Sequence, residues 1–436
     1  MSTLGSLEKM KAALAPKTDI ARRLSVFEYG HASAGANAKT LDPPRIVTMV
    51  LEGESGVTPA QWRDALRSVV DANPGVCLRI QGFRQRARWT SGGAQPPLLR
   101  IIDNSPWDGA SHCGIEAIER TPLQLQAGPA SELIIATGKI TRVILRVRHA
   151  LMDGMGVLHF FQELFRALRG APLLGTNAAF SDVDLMRAVT SAGWRGGGDD
   201  PIPLTGGAQG SAHGDVWQRL TFTAGPRQNL LARVAEVSAR YAWSFKPGPA
   251  RIAVPVNLRR HLPDLHSTMN FSGLLYVDMT PGETVDDFRR KIREGLAQNR
   301  HAACPKVAEC IRYLPFGWID RLTGRTPENY LQRRLVETVL ITNLGAVDLG
   351  PLSCAQFEPY NYYCLPLMGN SFISLSASGR YLNIVVGMPA VYASAGRLER
   401  FLDLLREEFG AARASTEMPE LFASPDSCTT SRMHPS

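Results

Sequence analysis

Arg148-His149-Ala150-Leu151-Met152-Asp153-Gly154-Met155-Gly156 is the stretch on which the reading of this chain turns. Upstream of it, Val143, Leu145 and Val147 alternate with Arg142, Ile144, Arg146 and Arg148, a period-2 pattern that predicts a strand with His149 on its apolar face. Downstream, Gly154 and Gly156 allow a tight turn, and Val157, Phe160, Phe161, Leu164, Phe165 and Leu168 then recur at helical spacing. The expected local structure is a strand, a turn and an amphipathic helix, with an inward-pointing imidazole at the junction.

The flanking sequence extends this unit into a mixed sheet with covering helices. Leu133 to Thr137 pairs naturally with Thr141 to His149 across Gly138-Lys139, and Arg45 to Glu52 has strand character. Thr58-Pro59 provides an N-cap and a proline at the first helical position for a helix carrying Trp62, Leu66, Val69 and Val70 on one side, and Asn73-Pro74-Gly75 ends it. Val76 to Gly82 and Arg86 to Thr90 are expected to form a hairpin.

The composition changes beyond this region. Gly196-Gly197-Gly198-Asp199-Asp200-Pro201, then Gly206-Gly207 and Gly210-Ser211, mark a flexible crossover. At 436 residues the chain exceeds the size at which one core usually divides. The expected organisation is a first lobe over 1–188, a linker over 189–215, a second lobe over 216–413 and a disordered polar tail over 414–436. The second lobe broadly echoes the first, with strands at Arg251 to Asn257, Phe271 to Asp278, Val339 to Asn343, Phe372 to Ser376 and Tyr381 to Gly387. Thr284 with Asp287 starts a helix in the manner of a capping box, and Ser394 is read as the cap of a closing helix with Leu398, Phe401, Leu405 and Phe409 inward.

Hydrophobic residues make up 44% of the chain and charged ones 20%, ordinary values for a folded soluble protein. Charged residues within the first 17 positions exclude a signal-peptide core, and no apolar run reaches the ~18 residues of a membrane span. The seven cysteines form no C-x-x-C pair and the histidines show no metal-ligand spacing, so neither a disulfide framework nor a metal site is expected, and a reducing cytoplasm is the simplest setting. The net charge of +8 comes from arginine spread through the chain, with local clusters at Arg84/Arg86/Arg88, Arg259/Arg260 and Arg289/Arg290/Lys291/Arg293. Such clusters are either solvated helix faces or a surface that steers an acidic carrier protein or the phosphates of coenzyme A. With no lysine-rich run and no interleaved aromatics, nucleic acid is not an expected partner.

Four segments together resemble one acyltransferase superfamily. The stretch from Arg148 to Gly154 resembles the H-H-x-x-x-D-G element of chloramphenicol acetyltransferase, peptide-synthetase condensation domains and polyketide-associated acyltransferases. Asn73-Pro74-Gly75-Val76-Cys77-Leu78-Arg79 resembles the H-P-x-L-R element. Val254-Pro255-Val256-Asn257-Leu258-Arg259, followed by Asn270-Phe271, resembles P-V-N-x-R and G-N-F. Thr342-Asn343-Leu344-Gly345 resembles S-N-x-G. The resemblance runs from about Leu24 to Phe409 and implies an α/β fold of mixed sheets. Two lobes resembling chloramphenicol acetyltransferase would form a V, with His149 midway along a tunnel between them.

The resemblance further implies acyl transfer from a coenzyme A or carrier-protein thioester to an alcohol or amine, with no tightly bound cofactor, in secondary-metabolite or complex-lipid assembly by a monomeric enzyme. His149 is then the general base, since a neutral imidazole with a pKa near 6.5 suits proton removal at physiological pH. The backbone at Gly154 and the side chain of Asn343 are candidates for the tetrahedral oxyanion. Asp153 is expected to pair with Arg259, and Gly154 to leave room for a pantetheine arm.

Two departures stand out. Arg148 replaces the first motif histidine and, facing away from His149, is read as a structural residue. The stretch from Ser238 to Arg251 is short for the superfamily. Other readings remain open. His149 can be a buried structural histidine, Asn343 can simply end a strand, and Tyr360-Asn361-Tyr362-Tyr363 fits packing better than an acceptor pocket. His159 is expected to pack or to reach the surface. A non-catalytic protein keeping the two-lobe fold is the alternative to an enzyme.

Overall fold

The computed structural model describes residues 3–40, 43–190, 199–223, 228–324, 335–367 and 369–410. Strands are numbered in chain order. One sheet contains β2 (Ile46–Ser55), β5 (Leu98–Ile102), β6 (Ser131–Ala136), β7 (Thr141–Arg148) and β12 (Phe357–Cys364), in the order β12-β2-β7-β6-β5, antiparallel except for β5 with β6. A second contains β8 (Asp215–Phe222), β9 (Ala250–Asn257), β10 (Ser272–Met279), β11 (Val339–Val347), β13 (Phe372–Ser378) and β14 (Tyr381–Pro389), in the order β10-β9-β11-β13-β14-β8. Strand β11 runs parallel to both its neighbours. A small antiparallel sheet joins β1 (Ala21–Arg23), β4 (Arg88–Thr90) and β3 (Arg79–Gln81), the last two forming the hairpin expected from the sequence.

Strand β7 sits in the middle of its sheet with every residue buried. Val143, Leu145 and Val147 enter a core with Phe160, Phe161 and Phe165 of the helix Gly154–Leu168. Each of those phenylalanines contributes about 1.5–3 kcal/mol by leaving water. Ile144, on the other face, packs with Val50, Ile134, Trp217 and Tyr363. That face is therefore covered rather than wet, and its arginines need counter-charges. Glu52 accepts from Arg142 Nε at 3.0 Å and from Arg219 Nη1 of β8 at 3.2 Å, while Glu132 pairs with Arg146 and with Arg100 at 2.8 Å. Glu52 thereby ties β2 to a strand of the other sheet.

Helix starts follow their local chemistry. Thr58 and Gln61 form a reciprocal capping box for the helix Pro59–Ala72, as do Thr284 and Asp287 for Val285–Ala297. Ser394, however, ends a short helix over Ala390–Ala393, and the closing helix begins at Arg397. The Arg397 guanidinium reaches the carbonyls of Thr205, Gly207 and Val391, which fixes the chain before the helix begins. Leu398, Phe401, Leu405 and Phe409 do point inward.

The lobe boundaries are less simple than the sequence implied. Strand β12 comes from the second half of the chain but pairs with β2, aligning Tyr362 with Leu51 and Cys364 with Met49. In the crossover expected to be flexible, 191–198 lies outside the described residues, yet Ile202, Leu204 and Thr205 are buried. The tail expected from 414 onward also lies outside the described residues. In the region read as shortened, the helix Leu230–Trp243 is followed by β9 at Ala250. Among the described residues no helix is long and apolar enough to cross a membrane.

Candidate active site

The end of β7 positions His149. Its backbone N–H continues the pairing with β2 by donating to the Arg45 carbonyl at 2.9 Å, after which Leu151 N–H turns back to the Arg148 carbonyl at 2.8 Å. The imidazole Nδ1 lies 3.1 Å from the Met152 carbonyl. A carbonyl can only accept, so Nδ1 carries the proton and Nε2 presents a lone pair. The ring lines a cavity of about 510 Å³ bordered by strands of both large sheets, together with His31, Arg45, Met49, Asn270 and Tyr276. Burial, helped by the nearby Arg45 charge, holds the His149 pKa below the usual histidine value, which favours the neutral base.

Asp153 locks the turn below this ring. It is the N-cap of the helix Gly154–Leu168, accepting from Gly156 N–H at 2.6 Å. Its other oxygen accepts from Phe271 N–H at 2.7 Å and from Arg259 Nη1 at 2.9 Å. Arg259 also donates to the carbonyls of Ser267 and Met269 and lies over the Phe271 ring. One carboxylate thus joins the motif turn to two segments of the second lobe. Asn270 Nδ2 adds a bond to the His149 carbonyl at 3.2 Å. The approach is close enough to require glycine at 156, where a Cβ would stand 2.1 Å from the Thr268 carbonyl oxygen. Gly154 differs, since a Cβ there would meet the movable Met49 Cε at 2.8 Å, and Gly154 also lines the cavity.

Arg148 points elsewhere. Its guanidinium donates to the carbonyls of Leu123 at 3.1 Å and Ala34 at 3.4 Å, and burial pulls its pKa down to about 10. The cavity lining does not include it. Replacement of the first motif histidine therefore leaves the cavity lining at His149 unchanged.

Asn343 requires a correction. Its Oδ1 accepts from Gly345 N–H at 3.0 Å, and it lines a separate surface pocket with Arg289 and Arg293. Alternation along β11 explains the outcome, since Leu340 and Thr342 face the cavity and their neighbour Asn343 therefore does not. An Asn343 side chain so placed cannot stabilise an oxyanion beside His149. Tyr362 and Tyr363 are core residues, the latter donating to Glu52 at 3.1 Å. His159 is buried and bonds the Gly175 carbonyl at 3.3 Å.

The sequence reading missed His31 and Arg45. The His31 ring stacks on His149 with centroids 4.0 Å apart and planes 26° from parallel, and its Nδ1 lies 3.3 Å from Arg45 Nη1. Nothing in the spacing of His31 links it to position 149. The one local signal is the capping box of Ser25 and Glu28, which marks the helix Val26–Ser33 that carries it. Among the described residues no group of three or more histidine, cysteine or acidic side chains is arranged to hold a metal ion.

No protein-family model and no curated protein matches the chain in sequence. Solved structures match its fold along nearly its whole length. A mutant starter condensation domain of the rhizomide synthetase RzmA, in complex with C8-CoA and Leu-SNAC, superposes with a TM-score of 0.62 at 16% identity, covering 90% of this chain and 94% of that one. The condensation domain of the Monacolin K polyketide synthase MokA gives 0.61 at 13% identity, covering 90% and 98%. The mixed sheets of this chain, with His149 on the cavity between them, are those of the condensation-domain fold.

Proposed function

We propose that the protein transfers an acyl group from a thioester, carried by coenzyme A or by the phosphopantetheine of a carrier protein, to a hydroxyl or amine. The observation that carries this reading is the His149 ring, whose Nδ1–H is committed to Met152 and whose Nε2 lone pair belongs to the inter-lobe cavity. In this reading Nε2 takes the proton of the attacking O–H or N–H as the new bond to the thioester carbon forms. Collapse of the tetrahedral intermediate breaks the C–S bond, and the same proton passes to the departing thiolate. No covalent enzyme intermediate is required. The backbone N–H of Gly154 remains a candidate donor to the oxyanion, and its missing side chain would leave space for the pantetheine arm.

The condensation-domain fold supports the reaction class, and one structural neighbour holds C8-CoA and Leu-SNAC. Those neighbours come from a rhizomide synthetase and a polyketide synthase, which supports a place in natural-product or complex-lipid assembly. Because Arg148 lies outside the cavity lining, the altered first motif position does not favour a non-catalytic scaffold.

The test is free-thiol release from octanoyl-CoA and from an octanoyl carrier protein, each with mixed alcohol and amine acceptors at low and high salt. Acceptor-dependent release from at least one donor is expected. A carrier-dependent rate should fall with salt, since docking on a basic face is screened, whereas a rate with octanoyl-CoA should depend on it less. Silence with both donors, although they bind, would transfer the reading to a binding protein.

A further inference from the structure

With Asn343 facing away from the cavity, the side chain expected to hold the carbonyl oxygen is not available to the proposed reaction. His31 supplies a side-chain donor by its geometry. Its Nδ1 lies 3.3 Å from Arg45 Nη1, and a guanidinium can only donate, so Nδ1 is the acceptor and the ring proton sits on Nε2. That Nε2–H has no hydrogen-bond partner among the described residues, on a ring that lines the cavity. The stacked His149 has the opposite tautomer, enforced by Met152. Two neutral imidazoles whose centroids are 4.0 Å apart thus bring a lone pair and an N–H to one space.

We propose that His31 is a second catalytic residue, donating from Nε2–H to the carbonyl oxygen of the bound thioester while that oxygen becomes an oxyanion. The assignment rests on the acyl-transfer reading of this site. One imidazole would face the attacking atom and the other the carbonyl oxygen, two atoms bonded to the same tetrahedral carbon and each within about 3 Å of its ring nitrogen. The proton balance stays simple. His149 takes the nucleophile's proton and returns it to the thiolate, while His31 keeps its proton throughout and polarises the carbonyl as a neutral donor.

The surroundings hold this arrangement in place. Burial, with the repulsion that a protonated His149 would exert and the charge of Arg45, keeps the His31 pKa well below the ordinary histidine value, so the ring stays neutral through the working pH range. The helix Val26–Ser33 is fixed at its start by Ser25 and Glu28, which bond each other's backbone N–H at 3.1 and 2.7 Å, and Glu28 is further paired with Arg22. Tyr29, two residues before His31, donates to the Leu314 carbonyl at 2.7 Å. An oxyanion donor must be held before the charge develops, and this helix provides that rigidity.

Two measurements on the full chain test the assignment. Long-range ¹⁵N–¹H correlation of histidine-labelled protein at neutral pH, with His31→Phe identifying the signal, should place the His31 proton on Nε2 and the His149 proton on Nδ1. A His31 proton on Nδ1, or a charged ring, overturns the proposal without reference to any substrate. In octanoyl-CoA turnover, His31→Phe keeps a stacking ring but lacks the N–H. It should lower kcat by about 100-fold or more with KM within a few-fold, as loss of one oxyanion donor does, and His31→Gln should recover part of the rate. A His31→Phe enzyme as fast as the wild type overturns the proposal. Equal rates for His149→Ala and wild type would instead remove His149 as the base, and silence of the wild type with donors that bind would reject the acyl-transfer reading on which the assignment rests.

Discussion

His149→Ala is expected to lower kcat/KM for acceptor-dependent thioester cleavage by about 10²- to 10⁴-fold, the usual contribution of a positioned general base. The expectation is specific because the substitution removes little else. The backbone N–H of residue 149 still bonds the Arg45 carbonyl, and Asn270 still bonds the residue 149 carbonyl. What is lost is the stack on His31 and the bond to the Met152 carbonyl. Stability should therefore fall by only about 1–3 kcal/mol, the cost of one abandoned acceptor. Urea denaturation of both proteins beside the rate assay separates the two effects. A variant that is well folded, binds octanoyl-CoA and turns over as fast as the wild type would remove His149 from the chemistry.

Asp153→Ala should do the reverse, destabilising first and slowing the reaction as a consequence. It leaves the Arg259 guanidinium without its carboxylate and the N–H groups of Gly156 and Phe271 without their acceptor. Removing one partner of a buried ion pair costs about 3–5 kcal/mol, mainly through the stranded charge. The urea midpoint should drop accordingly. Asp153→Leu combined with Arg259→Met should be less destabilised than the two single changes added together, because no charge is then stranded. Strict additivity would show that the pair seen at 2.9 Å is not coupled. Asp153 also ties the motif turn to the second lobe, so kcat should fall in the single variant even where the protein remains folded.

Much of this site could be read from residues 142–168, because two periodicities meet there. Alternation along β7 gave the strand, helical spacing from Val157 gave the helix, and the glycines between them limited how His149 can be presented. Asp153 and Arg259 are connected by the family resemblance, in which the motif aspartate pairs with an arginine, and the pair is present at 2.9 Å. Other features depend on pairings far apart in the chain. Nothing local tells that β12 crosses to pair with β2, or that the arginine face of β7 is covered by β8 and neutralised by Glu52 and Glu132. Asn343 was misread because a motif match locates a strand without fixing which face each residue takes, and alternation from Thr342 sends it outward. His31 lies 118 positions before His149, and only the folded chain brings the rings together.

The most direct measurement is the pH dependence of kcat/KM with an alcohol acceptor, whose own ionisation lies far outside the range examined. Burial and Arg45 disfavour the His149 imidazolium, so its pKa is below the ordinary histidine value and the neutral base persists to lower pH. The rate should therefore rise about tenfold per pH unit on the acid side, bend below about pH 6.5 and stay level through neutrality. This limb should disappear in His149→Ala. A wild-type rate that continues to climb tenfold per unit from about pH 7 to 9, or an acid limb that survives in the variant, would contradict a neutral His149 as the base.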